Sequence, residues 1–203
     1  MWALVQDGTV TKTFNYAKGF VLNDTQYPKD IFTKWTTAEK EAIGIYEVIV
    51  DKTNYKDSEY YNNTDSTIAF ANGQVTESWG TATAKRLVDE NAVDEDGNPV
   101  LENGVQVINY GLKTEKKRIV KDQAAGLLAK TDWYVVKATE VADYTVPADI
   151  TTYRAAVRTK SNQMETAIDN AADVDALKAL YEYTDDGNGN ITRPLGEWPE
   201  EVI

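Results

Sequence analysis

Apolar and polar positions alternate in short runs over the first half of the chain and recur at helical spacing over the second. Trp2–Gln6 and Val10–Phe14 flank Asp7-Gly8, a dipeptide that accepts the positive φ angles of a type I′ turn, so the chain is expected to open with a β-hairpin. Phe20–Leu22 adds a strand that Tyr27-Pro28 breaks. Thr36 or Thr37 caps a short helix over Ala38–Ile43, which Gly44 ends, and Ile45–Val50 follows as a strand. Asp51–Asp65 is polar and rich in Tyr and Asn, and reads as a loop or extended arm. Thr67–Ala71 and Gln74–Trp79 flank Asn72-Gly73, a second hairpin. Val100–Leu101 and Val105–Ile108, separated by Glu102-Asn103-Gly104, read as a third, protruding one.

From Leu112 the period changes. Val120, Ala124, Leu127 and Leu128 form one stripe of an amphipathic helix over Leu112–Leu128, with Thr114, Lys116, Lys117, Arg118 and Lys121 on its polar positions. Trp133, Tyr134, Val135 and Val136 are a run of aromatic and β-branched residues, which predicts a short strand. Pro147 then suits the first turn of a helix reaching Asn170. Ile150, Val157 and Met164 recur every seven residues, with Tyr153 and Ile168 beside them. This stripe requires a partner surface, in its own domain or on another subunit, while Arg154, Arg158, Lys160 and Glu165 face elsewhere. Asp173 caps a last short helix, Val174–Tyr181, buried through Leu177 and Leu180. Asp185–Asn190 is a flexible turn before a tail, Ile191–Ile203, that carries Leu195 and Trp198.

These elements predict an α+β fold: a β-rich module over 1–90, a protruding hairpin and linker over 91–110, a helical module over 111–183 and an extended tail over 184–203. The tail has two readings, an arm docked on a neighbouring subunit with Trp198 as anchor, or a segment folded onto its own domain. On the first, deleting Gly187–Ile203 leaves the fold intact.

Charge and composition exclude several functions. The chain of 203 residues has a formal net charge of −12, which disfavours nucleic acid and acidic membranes as partners. No apolar run approaches the roughly 20 residues that span a bilayer. With neither cysteine nor histidine, thiolate chemistry, a Ser-His-Asp triad and His-based metal sites are ruled out. Asp94–Asp96 and Asp185–Asp186 suggest calcium loops, but neither spacing supplies the terminal bidentate Glu. Paired carboxylates with Trp35, Trp79, Tyr55, Tyr60 and Tyr61 as sugar-stacking rings describe a glycosidase, yet no spacing selects a pair. Lys113, Lys116, Lys117, Arg118 and Lys121 are either an anchor for an acidic partner or the solvated face of a helix. No cofactor, metal or catalytic residue is expected, and the chain reads as non-enzymatic.

Asp132–Trp133, Pro147–Asp149 and Tyr153–Arg158, in that order, with the near-terminal Trp198–Pro199, resemble the carboxy-terminal part of tailed-phage tail-fibre assembly and tail-fibre-associated proteins. Thr25–Ile45, in which a Tyr-Pro turn precedes a short helix and a Gly-Ile-Tyr strand, is more loosely similar to the openings of small phage tail-region proteins. The resemblance implies a virion structural protein of the tail region, made in the host cytoplasm. It would be multi-copy and bind fibre or baseplate proteins through Trp133, Tyr134, Ile150, Tyr153, Val157, Met164, Ile168, Leu195 and Trp198. It equally implies a tail-fibre assembly chaperone. A receptor- or carbohydrate-binding module is the third reading, resting on the Tyr- and Trp-rich loops.

Overall fold

The computed structural model describes residues 1–185 and 187–202, so Asp186 of the acidic pair and Ile203 of the tail lie outside the described residues. The chain is α+β and divides into two compact units, 1–83 and 84–203. The segment 91–110 and the tail both fall within the second unit.

In the first unit, β1 (Trp2–Gln6) and β2 (Thr9–Phe14) form the opening hairpin, and Asp7 and Gly8 both take positive φ, 50° and 74°. β3 (Phe20–Leu22) pairs with β4 (Thr25–Tyr27). Their turn is Asn23-Asp24, both left-handed, so a hairpin stands where the sequence predicts a lone strand. α1 (Ile31–Lys34) and α2 (Thr37–Glu41) follow. Thr36 and Glu39 close a capping box on α2, in which the Thr36 hydroxyl accepts from the Glu39 amide and the Glu39 carboxylate accepts from the Thr36 amide. β5 (Ile45–Asp51), β6 (Tyr61–Asn62), β7 (Ser66–Ala71) and β8 (Gln74–Trp79) complete the unit.

The main sheet runs β2-β1-β5-β8-β7, antiparallel except for the β5–β8 pair. Its edge strands β2 and β7 approach within 8 Å, so the sheet curls on itself. One face packs Leu4, Phe14 and Ile45 with Phe20, Ile31 and Phe32; the other buries Ala3, Val48 and Val75 with Val10, Ile68 and Phe70 around them. Val10 and Phe14, four residues apart, would share a face in a regular strand. A β-bulge separates them: Leu4 pairs with Lys12 but Val5 pairs with Val10, so Thr11 is the extra residue.

The stretch 51–65 folds back as a closed loop. Asn63 accepts from the Lys56 amide and donates to the Lys56 carbonyl, and Tyr60 and Tyr61 are buried, unavailable as stacking platforms.

β9 (Thr83–Ala84) lies at the junction. The second unit begins with the short strands β10 (Glu90–Asn91), β11 (Leu101–Glu102), β12 (Val105–Gln106) and β13 (Ile108–Asn109). Helices α3 (Leu112–Ala129), α4 (Asp132–Glu140), α5 (Ala148–Asn170) and α6 (Val174–Ala179) follow, and α3 packs against α5. β14 (Thr184–Asp185) and β15 (Ile191–Thr192) pair ahead of the tail.

Three expectations are overturned here. The Trp133–Val136 run is helical, not a strand: it forms the first turns of α4. Asp132 lies in that first turn, where a carboxylate suits the helix dipole, and Lys137 sits 5.8 Å from the Trp133 ring at helical i,i+4 spacing. Local context thus outweighs β propensity. Arg154 does not face away from the stripe; it is buried, 9% exposed, and binds the α3–α4 junction. Lys116, predicted on the polar face, is buried as well, its ammonium 4.7 Å from the Tyr181 ring centre.

Candidate attachment surface

The predicted contact residues separate into two groups. Ile150, Tyr153, Val157, Met164 and Ile168 of α5 are at most 3% exposed, so their stripe forms the interior of the second unit. Helical spacing places them on one side of α5, and burying a side chain of this size stabilises the unit by roughly 1.5–3 kcal/mol. As interior side chains they present no surface to another subunit, and of the two readings of the stripe the fold realises the own-domain one.

The tail follows the same course. Leu195 is buried and its amide donates to the Leu180 carbonyl at 2.9 Å. Trp198 packs against the cluster of Ala124, Tyr153 and Val157, and its indole N–H donates to Gln123 Oε1 at 3.1 Å. Lys130 and Glu201 form an ion pair at 2.5 Å. The tail therefore lies on its own unit rather than extending as an arm, and deleting Gly187–Ile203 would uncover part of that cluster. Beside Trp198, Gln123, Gly126, Leu127, Lys130 and Arg193 line an open cleft of about 380 Å³.

Trp133 and Tyr134 differ from the rest. α4 has no buried residue, and Trp133 and Val136 are each 51% exposed, with Val135 also at the surface. The Trp133 and Tyr134 ring centroids lie 3.7 Å apart, and the Lys137 ammonium is 4.3 Å from the Tyr144 ring. What fixes α4 is its first turn. Arg154 Nη1 donates to the Leu128 carbonyl at 2.9 Å and to the fully buried Thr131 hydroxyl at 2.6 Å, and Nη2 pairs with Asp132 at 2.8 Å. The helix is held at its base and bare along its length.

No family model, curated protein or solved structure matches this chain.

The remaining candidates are accounted for by local structure. Of the basic residues on α3, Lys117 pairs with Asp169, Lys121 with Glu165, and Arg118 with Glu115 and Asp122, while Lys113 donates to the Asp169 carbonyl. Asp94 accepts from the Asp96 and Asn98 amides, closing its own turn, and these bonds hold its carboxyl below the usual carboxylate range. Among the described residues, no group of three or more His, Cys, Asp or Glu comes together as a metal set, and no helix is long and apolar enough to cross a membrane. The Tyr153 hydroxyl is buried without a hydrogen-bond partner among the described residues, and that burial, with the Glu201 carboxylate nearby, pushes its pKa up.

Neither Arg154 nor Thr131 stands out in the sequence. A lone Arg beside an apolar stripe looks identical in sequence whether it is solvated or turned inward.

Proposed function

We propose that this chain is a non-enzymatic structural protein of the phage virion, in the tail or tail-fibre region, acting by protein–protein attachment through α4. The observation that carries this reading is a helix held at its first turn by Arg154 whose Trp133, Val135 and Val136 are left to solvent. Exposed aromatic and aliphatic groups on a fixed element suit an interface anchor, because little conformational entropy is lost on docking. The order of Asp132–Trp133, Pro147–Asp149, Tyr153–Arg158 and Trp198–Pro199, which resembles tail-fibre-associated proteins, supplies the setting.

Quantitative mass spectrometry of gradient-purified virions tests it. The expected result is a fixed ratio of this chain to the major capsid protein, retained after a high-salt wash and lost for Trp133→Ala/Val136→Ser. Absence from virions, with co-purification on unassembled fibre, would instead make the chain an assembly chaperone.

A further inference from the structure

A second surface, independent of α4 and of the phage setting, lies in the second unit between Val88 and Tyr110. This segment is folded by hydrogen bonds rather than by a core. β10 pairs with β13, β11 with β12, and Val93 bridges to Pro99. At its centre three backbone bonds close a ring: the Ala92 amide donates to the Val107 carbonyl, Val107 to Val100, and Val100 to Ala92. The Gln106 side-chain amide reaches the same three carbonyls, at 2.8 Å from Ala92, 3.2 Å from Val100 and 2.9 Å from Val107. Ala92 is the one buried side chain of the segment.

A segment ordered in this way has no need of its large apolar side chains, and they point outward. Val105 is 70% exposed and Leu101 58%, and Val88, Val93, Ile108 and Tyr110 are exposed too. Leu101 pairs with Gln106 and Val105 with Glu102, so the two apolar residues lie on opposite faces of the hairpin. Each face of the hairpin therefore carries an exposed aliphatic side chain on an element whose backbone is held by hydrogen bonds.

Charge identifies the occupant. Residues 88–110 include Asp89, Glu90, Asp94, Glu95, Asp96 and Glu102 and no Lys or Arg. Glu90 pairs with Arg86, Asp89 binds the Gly111 amide and the Thr114 hydroxyl, and Asp94 closes its turn. Glu95, Asp96 and Glu102 are exposed with no basic partner among the described residues. The same face of a second copy would set these acids against each other, and the basic residues of α3 are already engaged within their own unit. We infer that the Val88–Tyr110 hairpin is a docking arm for a different polypeptide, one with an apolar contact surface flanked by Lys or Arg that grips the hairpin on both faces.

Site-specific photocrosslinking with the full chain, in the cells that produce it, tests this. The photoreactive residue p-benzoylphenylalanine replaces Leu101 in one variant and Val105 in another. Both are expected to crosslink the same foreign polypeptide, at peptides in which Lys or Arg lies beside apolar residues. Adding Glu95→Gln, Asp96→Asn and Glu102→Gln, with the helical circular-dichroism signal unchanged, is expected to lower the yield about tenfold. Crosslinks to another copy of this chain or to an acidic segment, no crosslink from either position, or a yield unmoved by the triple substitution would overturn the inference.

Discussion

Replacing Arg154 by Met removes the one guanidinium that ties α5 to the α3–α4 junction. Its bonds to the Leu128 carbonyl and the Thr131 hydroxyl, at 2.9 and 2.6 Å, are charge-assisted and contribute about 1.5 kcal/mol each at the low end of such bonds. The low end applies because the Leu128 carbonyl keeps two other donors, the Thr131 amide and hydroxyl, and is not orphaned. The pair with Asp132, whose side chain is 58% exposed, adds no more than about 1 kcal/mol. Met fills much of the Arg volume and avoids the cost of burying a charge, which offsets part of the loss. The expected destabilisation of the second unit is about 2–3 kcal/mol, or a fall in Tm of about 10 °C for a unit of this size. Arg154→Lys keeps the charge but not the planar fork, and should lose about half as much. Urea denaturation followed by the far-ultraviolet helical signal reads mainly the second unit, which carries the long helices. A loss below about 0.5 kcal/mol for Arg154→Met, or equal losses for Met and Lys, would refute this account of the junction.

Three further outcomes are expected. At Gly111 an added Cβ would lie 2.5 Å from the Val88 carbonyl carbon and 2.6 Å from its oxygen, both backbone atoms, so Gly111→Ala should cost about 1–3 kcal/mol in the same assay. Thr36→Ala should destabilise the first unit by about 1 kcal/mol. The Thr36 amide and hydroxyl hold the Glu39 pKa below its ordinary 4.5, so the stabilisation is present above that pH and disappears as pH falls through the depressed value; because the amide survives in Thr36→Ala, urea melts across that range, wild type against Glu39→Gln, check the sign. The Tyr153 pKa is raised from 10.0 by burial, so stability is kept below that pH and lost as pH rises beyond it; Tyr153→Phe should remove this loss while changing neutral-pH stability by less than about 1 kcal/mol, read from urea melts at both pH values.

The turns were legible because their chemistry is local. Asp7-Gly8, Asn72-Gly73 and Asn103-Gly104 each take positive φ at both residues, the conformation their side chains or lack of one favour. Helix spacing places α3 and α5 to within a residue or two, but it leaves open whether the stripe from Ile150 to Ile168 faces its own unit or another subunit, and those residues, expected to bind a partner, are buried in their own unit. Asn23-Asp24 carries a turn signal of the same kind, without a glycine to mark it. The parallel β5–β8 pairing joins strands separated by a long crossover, and no local pattern announces it. The Trp133–Val136 run is illegible for a physical reason: a four-residue apolar run has no period of its own, and its conformation is set by Thr131, Asp132 and an arginine more than twenty residues away. The same bare helix that defeated the strand reading is the surface the functional proposal rests on.

The bulge at Thr11 makes the opening hairpin a ribbon that lines two separate interiors, giving Phe14 to one and Val10 to the other. That division follows from which residues of β1 and β2 stand opposite each other more than from the identity of residue 11. A conservative substitution at Thr11 should pass almost unnoticed, and its deletion would leave Leu4 opposite Lys12 and Val5 opposite Val10 in a regular ladder, with Val10 and Phe14, then three positions apart, still on separate faces. For this hairpin, then, residue 11 is a codon the ladder can lose without exchanging the two interiors.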